Sequence, residues 1–364
     1  MDLRKELSVS TIQSASANRV TKNRQVRPSV PEDGPAIVEL MRQAGLEPHV
    51  ESKHLHWKYW CERPDWSGSR SFVLTSGNDL LAHGAVVPGA IGWAANRARV
   101  IHMIDWAARR DAVGAGVVLM KHIGRMTDFL LGIGGSGHTL KIMPLIGYRP
   151  CGTVTGYVRT LSALGILKRP GPRWKRVPRI GRSLLWSLSA PPPDVADWHV
   201  RRIEIDEVAR IAEVLPQKSP NLALCGRSPE MFRHALACPI VPVELYALNR
   251  AGRTCGYFML SYAPGQARLI DLWVNSESAA DWRALVYSAV RQAKRRGRLA
   301  ELVAWSSDPQ LSQVFEACGF HARLTLPIYL RSSGGLALPQ EALRVQMIDN
   351  DAYYLYFGGN ELWA

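Results

Sequence analysis

The sequence predicts a mixed α/β (α+β) protein of two tandem domains, each with a mixed central sheet flanked by helices. Three observations support this prediction. The chain has 364 residues, which is long for a single hydrophobic core. Apolar strand patterns alternate with amphipathic helix patterns in both halves. The halves also share short sequence matches at similar offsets, which indicates an internal duplication.

The clearest match aligns residues 26–43 with residues 200–217 without a gap. Both segments read as a short strand, an acidic turn and an amphipathic helix. Further matches follow in the same order, and they pair Gly84 with Gly256, Asp105 with Asp271, and Gly147 with Gly319. Several coincidences in one order favour a duplicated fold.

Local signals then place individual elements. Residues 99–107 form an apolar run typical of a strand buried within a sheet. Residues 279–296 have apolar side chains at helical spacing, with basic residues on the opposite face. Residues 299–306 read as the following strand. Asp308 and Pro309 then predict the start of a helix, and Gly319 predicts its end in the left-handed conformation.

The composition divides the chain further. Residues 161–193 hold seven Lys or Arg, no acid and six prolines, as expected of a stiff basic linker. The predicted organisation is a polar tail (1–25), a first domain (26–160), a basic linker (161–197), a second domain (198–330) and an aromatic C-terminal tail (331–364).

The net charge of +14 favours anionic partners such as a nucleotide-containing cofactor, nucleic acid or an acidic membrane face. Six scattered cysteines without a CxxC pair are expected to be reduced thiols, and no metal is expected. No apolar run approaches the ~20 residues that span a bilayer, and the N-terminus lacks an apolar signal core. A cytoplasmic location is therefore expected.

The strongest chemical signal follows the strand at 99–107, where Asp105 to Gly116 read DWAARRDAVGAG. Two glycines let backbone amides approach an anion, and the helix N-terminus adds unpaired N–H groups. Arginine side chains add charge-assisted hydrogen bonds. The expected phosphate-binding loop comprises Arg109, Arg110, Asp111, Ala112, Val113, Gly114, Ala115 and Gly116. A tight turn without a ligand is the alternative interpretation.

This loop, with Gly147-Tyr148 after the next helix, resembles the GNAT (GCN5-related N-acetyltransferase) superfamily. The acyl-CoA loop of that family has the form (Arg/Gln)-x-x-Gly-x-(Gly/Ala). The resemblance covers residues 26–160 and 198–330. It implies transfer of an acyl group from acetyl-CoA, or another acyl-CoA, to an amine, with the cofactor diphosphate on the amides from Asp111 to Gly116.

The chain departs from the family pattern at several positions. Asp111 stands where the family prefers Arg or Gln. Met143 and Phe315 stand where the family often has a tyrosine that protonates the leaving thiolate, which leaves Tyr148 as the candidate acid and Tyr157 as an alternative. The loop of the second half, VNSESAAD at 274–281, has no glycine and two acidic residues. The second copy is therefore predicted not to bind CoA.

Candidate general bases lie on the strand that leads into the loop. His102 and Asp105 are the first candidates, and His83 on the preceding strand is a third. His102 could equally be a core histidine, and Asp105 could cap the loop.

These observations predict an N-acyltransferase that acts on a primary amine of a small molecule or an amino sugar. One alternative resembles the Fem-type aminoacyl transferases, which use charged tRNA. Another is a non-catalytic acyl-CoA-binding or scaffold protein of a cell-surface polysaccharide system. The basic and apolar residues at 168–188 could also rest on an anionic membrane surface at the inner face, and nucleic acid is the less favoured partner.

Overall fold

The computed structural model describes residues 24–162, 195, 197–216, 219 and 221–356. Most of the predicted polar tail and of the basic linker, including the segment at 168–188, lies outside the described residues. No helix within the described residues is long and apolar enough to cross a membrane. The chain divides into two compact units.

The first unit contains the described residues up to Cys61 together with Gly68–Val86 and Met103–Met126. Its strands follow the order β1-β2-β3-β4, and β1–β2 and β2–β3 pair antiparallel. Its elements are β1 (Arg24–Pro28), α1 (Gly34–Gln43), α2 (Ser52–Leu55) with a π-helical continuation (His56–Trp60), β2 (Ser71–Ser76), parts of β3 (Asp79–Trp93) and β4 (Asn96–Ala108), and α3 (Ala115–Gly124).

The second unit contains the remaining described residues. β3 and β4 contribute residues to both units. Its elements in the first half of the sequence are β5 (Phe129–Ile133), α4 (Gly137–Leu145) and β6 (Arg149–Thr160). Those of the second half are β7 (Trp198–Ile203), a 3₁₀ helix (Ile205–Val214), β8 (Leu222–Cys225), α5 (Pro229–Leu236), β9 (Val243–Arg250), β10 (Arg253–Ala263), β11 (Gln266–Val274), α6 (Ala279–Arg296), β12 (Glu301–Ser306), α7 (Pro309–Ala317), β13 (His321–Ser332) and β14 (Ala342–Arg344).

The order of elements occurs twice along the chain. In both halves a strand and helical turns precede a three-stranded run, which is followed by helix, strand, helix and strand; the second half adds β8 before the three-stranded run. The duplication also explains one sequence match. Arg27 forms a bidentate pair with Asp33, with Nη1–Oδ2 and Nη2–Oδ1 distances of 2.7 and 2.8 Å. At the corresponding helical turn, Arg201 Nη1 donates to both carboxylate oxygens of Glu207 at 3.1 and 3.2 Å.

In the second unit, the last strand of each half, β6 or β13, pairs with strands of the other half. β13 pairs antiparallel with both β5 and β6, and β6 pairs antiparallel with β12. The sheet of this unit therefore runs β4-β5-β13-β6-β12-β11-β10-β9-β7. The domain boundaries at 26–160 and 198–330 stay a prediction.

The C-terminal tail packs on the second half. The backbone carbonyl of Tyr353 accepts a hydrogen bond from Ser261 Oγ at 2.7 Å. Arg268 Nη1 donates to the carbonyls of Ala352 and Leu355 at 2.9 and 2.8 Å. This part of the tail is therefore fixed on β10 and β11.

Candidate functional site

The loop between β4 and α3 ends in an open helix N-terminus. Gly114 has a φ of 78°, a left-handed conformation that favours glycine, and α3 has no side-chain cap. A Cβ atom added at Gly114 would meet no atom within 4 Å. Within the part of the chain that the structure describes, the backbone N–H groups of Gly116 and Val117 have no hydrogen-bond partner. Unpaired amides at a helix N-terminus can bind an anion.

The charged residues of the loop pair with one another. Arg109 Nε and Nη2 donate to Asp111 Oδ1 and Oδ2 at 2.9 and 2.5 Å. The hydrogen bond from Arg109 lowers the pKa of Asp111, and the amides of Asp111 and Ala112 contribute to the same shift. The Ala112 amide itself donates to the Arg109 carbonyl at 3.2 Å, and the Ala115 amide donates to the Ala112 carbonyl at 3.0 Å. Two amides of the predicted Asp111 to Gly116 stretch are therefore paired within the loop, and the diphosphate site stays a prediction.

A cleft of about 730 Å³ borders this loop in the first unit. Arg109, Arg110 and Asp111 line one part of it, and Glu39 and Gln43 of α1 line another. The other end of the loop is anchored by the strand, because Trp106 Nε1 donates to the Gly116 carbonyl at 3.1 Å. A Cβ atom at Gly116 would lie 3.1 Å from that same Nε1. Gly116 therefore permits the close approach of strand and helix.

The corresponding helix of the second half, α6, has a closed N-terminus. Ser278 Oγ accepts from the Ala280 amide at 3.2 Å, and Ser276 Oγ donates to Asp281 at 2.6 Å. Side chains of the loop itself therefore occupy the space where an anion would bind. The two helix N-termini differ chemically although the elements around them correspond.

Asp105 is buried in an ion pair. Its Oδ2 lies 2.5 Å from Lys58 Nζ and accepts from the Tyr59 hydroxyl at 2.7 Å. Burial raises the pKa of Asp105, but the charge and hydrogen bond of Lys58 and the hydrogen bond of Tyr59 outweigh it, so the pKa is lowered. Lys58 was not expected as a partner, although a lysine inside the aromatic run HLHWKYW is a signal that a buried acid lies nearby.

His83 connects the backbone of Asp105 to a chain of hydroxyl groups. Its Nδ1 lies 3.2 Å from the Asp105 carbonyl oxygen, which can only accept, so Nδ1 carries the proton. Its Nε2 lies 2.9 Å from Ser71 Oγ, and Ser29 Oγ donates to that hydroxyl at 2.6 Å. Asp105 itself has a φ of 50°, in the left-handed region. This network holds the bend of β4 just before the loop.

His102 and Tyr148 lie in the second unit, whereas Asp105 and the loop lie in the first. His102 Nδ1 donates to the Leu131 carbonyl at 3.0 Å, which leaves Nε2 as an acceptor beside a small cavity of about 20 Å³. Tyr148 is buried next to Gly132, and burial raises its pKa. The structure thus gives the three candidate catalytic residues different surroundings.

Two buried histidines make stability depend on pH. Burial lowers the pKa of His83 and of His102 to about 4, from an ordinary value of 6.5. Between these values the unfolded chain binds protons that the folded chain does not, so the free energy of unfolding falls as the pH falls from 6.5 towards 4. We expect a loss of about 3 kcal/mol for each histidine, measured by urea denaturation at a series of pH values.

The variant His102→Gln provides the comparison for this pH dependence. It removes one of the two titrating groups and should remove about half of the loss. A free energy of unfolding that is constant between pH 6.5 and 4 would contradict the assignment.

Comparisons with solved structures identify the fold. A probable N-acyltransferase from Enterococcus faecalis V583 has a TM-score of 0.57 and 11% identity, covering 86% of this chain and 73% of that chain. A GCN5-related N-acetyltransferase from Anabaena variabilis ATCC 29413 has a TM-score of 0.58 and 10% identity, with coverages of 86% and 73%. Saccharomyces cerevisiae N-myristoyltransferase with bound myristoyl-CoA has a TM-score of 0.59 and 12% identity, with coverages of 85% and 83%.

At these identities the similarity establishes the fold alone. No family model and no curated protein matches the sequence. The chain has the GNAT fold, and the predicted fold class is confirmed.

Proposed function

We propose, from the GNAT fold of this chain, that it is an N-acyltransferase that uses acyl-CoA and a primary amine of a small molecule or an amino sugar. The acetyl group is the proposed acyl group, and the cytoplasm is the proposed location. The amine nitrogen attacks the thioester carbonyl carbon. A C–N bond forms and the C–S bond breaks. The nitrogen loses one proton and the leaving thiolate gains one, so the products are the amide and the free thiol.

The observation that carries this proposal is the open N-terminus of α3. The amides of Gly116 and Val117 are unpaired, and Gly114 leaves the space beside them empty. Amides in this arrangement fit the diphosphate of CoA. The closed N-terminus of α6 in turn supports the first half as the CoA-binding half.

We assign the proton transfers to two side chains. His102 is the proposed base, because its imidazole is uncharged at neutral pH and its Nδ1 donates to Leu131, which leaves Nε2 as the acceptor. Tyr148 keeps its proton because burial raises its pKa, and it is the proposed donor to the leaving thiolate. Asp105 is the third candidate, and its ion pair with Lys58 favours a positioning role over proton transfer.

Release of free thiol from acetyl-CoA tests the proposed function directly. With a panel of primary amines and amino sugars, we expect thiol release that requires both acetyl-CoA and the amine. Tyr148→Phe should lower kcat by about 100-fold or more, because loss of general acid catalysis typically costs 10²–10⁴, while the affinity for CoA stays the same.

Tyr157→Phe tests the alternative acid. It removes the hydroxyl of a tyrosine that packs in a hydrophobic core of the second half, and we expect kcat to stay unchanged. An unchanged kcat in Tyr148→Phe would contradict the assignment of the acid. Tight binding of acetyl-CoA without turnover for any amine would contradict the enzyme and favour a non-catalytic acyl-CoA-binding protein.

A further inference from the structure

A second, larger cleft opens in the second unit at the end of β11. Parallel pairing joins β11 to β12 only from Gln266–Glu301 to Leu269–Ala304, and β11 continues to Val274. The cleft has a volume of about 1100 Å³ and is lined by the end of β11, the start of α6 and one face of α7. Ligand pockets commonly reach this size. The closed N-terminus of α6 makes diphosphate an unsuitable occupant.

A buried arginine, Arg344, lines this cleft. The Arg344 guanidinium carbon lies 4.6 and 4.9 Å from the ring centroids of Trp273 and Trp282. The residue is 5% exposed, and among the described residues its Nε has no hydrogen-bond partner. A buried donor left unpaired costs about 1–3 kcal/mol. The guanidinium therefore has unused donor capacity at the wall of this cleft.

An acidic side chain with spare accepting capacity lies beside the same guanidinium. Asp308 Oδ1 accepts from the Gln310 amide at 2.9 Å, whereas Oδ2 is 3.5 Å from Arg344 Nη1, which is too long for a good hydrogen bond. A hydroxyl group satisfies both sides, since it accepts from a guanidinium and donates to a carboxylate. A carboxylate or phosphate cannot donate, and the Asp308 charge would repel it.

The rest of the lining also fits an uncharged polar ligand. The charges of Arg283 and Arg344 are balanced by those of Glu277 and Asp308. Amide side chains, which both donate and accept, come from Asn221, Asn275, Gln310 and Gln313.

Two indoles line the cleft, and their N–H groups are already paired. Trp273 Nε1 already donates to Asn275 Oδ1 at 2.6 Å, and Trp282 Nε1 donates to the Ser276 carbonyl at 2.9 Å. Arg344 covers one face of each ring, and the ring surface that lines the cleft is apolar and suits the C–H face of a sugar ring. We propose that this cleft binds a neutral pyranose sugar, with one hydroxyl group that bonds to both Arg344 and Asp308 from the side of the cleft.

Titration of the full chain with glucose and with N-acetylglucosamine, followed by tryptophan fluorescence and calorimetry, tests the proposal. We expect saturable binding of at least one of the two sugars. Asp308→Asn should weaken it about tenfold or more, because a hydrogen bond to a charged group is lost. Asparagine caps a helix as well as aspartate does, so α7 should be preserved.

Glu316→Ala is the matched control, since Glu316 is exposed on the same helix and does not line the cleft; binding should be unchanged. Benzoate serves as an anionic probe with the opposite expectation. Binding of benzoate that becomes tighter in Asp308→Asn, without binding of either sugar, would overturn the proposal, as would absence of saturable binding of both sugars. The readout is binding alone, so failure here is independent of the acyl-transfer assay.

Discussion

Gly114→Trp is expected to weaken binding of acetyl-CoA by about 100-fold or more. The indole would fill the empty space beside the amides of Gly116 and Val117, where the diphosphate is proposed to lie. Two charge-assisted hydrogen bonds, each contributing about 1.5–3 kcal/mol, would be lost. Calorimetric titration with acetyl-CoA and with CoA measures the effect.

Backbone strain must be separated from the loss of the site, because tryptophan is unfavourable at the φ of 78° found at Gly114. Gly45 supplies the comparison. It follows α1 with a φ of 80°, and a Cβ atom there would also meet no atom within 4 Å. Gly45→Trp should therefore lose a similar stability, about 1–2 kcal/mol, and still bind CoA. Equal CoA affinity in both variants would exclude the α3 N-terminus as the diphosphate site.

Arg227→Met is expected to lower the free energy of unfolding by about 3–5 kcal/mol, because it leaves two buried carboxylates without their cation. Arg227 Nε lies 2.9 Å from Asp271 Oδ2, and its Nη1 lies 2.7 Å from Asp349 Oδ1. The Tyr257 hydroxyl donates to Asp271 at 2.9 Å but cannot replace the lost charge. Urea denaturation at neutral pH measures the loss.

The pH dependence of this variant has a defined sign. Burial already raises the pKa of Asp271 in the native protein, although Arg227 opposes the shift. Without Arg227, the buried carboxylates bind protons more strongly in the folded chain than in the unfolded chain. The loss in free energy of unfolding caused by the substitution should therefore become smaller as the pH falls. Arg210→Met, which removes an exposed arginine beside Glu207, should change stability little. A loss in free energy of unfolding that is independent of pH would contradict this description of Arg227, Asp271 and Asp349.

The predicted elements agree closely with the structure wherever the signal is local. The helix predicted at 279–296 is α6 (Ala279–Arg296), and Asp308 caps α7 as expected. Gly319 has a φ of 76°, the left-handed conformation predicted for the end of that helix. Side-chain periodicity, capping and glycine conformation depend on neighbours in sequence, which is why these features could be inferred.

The surroundings of the candidate residues could not be inferred. Asp105 was identified as a candidate base or a loop cap, but its partner Lys58 is separated from it by more than forty residues in sequence and lies on another element. Asp271 also has a partner that is distant in sequence, Arg227, which it shares with Asp349 near the C-terminus. Such partners are chosen by burial, because an acid in the core requires a cation wherever the fold supplies one.

By itself, the sequence determined the repeated order of strands and helices and the glycines that begin α3, since both depend on local pattern and backbone conformation. Only the tertiary structure decided that β13 pairs with β5 and β6, and which cation neutralises each buried acid. The physical reason is that strand pairing and ion pairing join residues distant in the chain, and many partners are compatible with one pattern until packing selects among them.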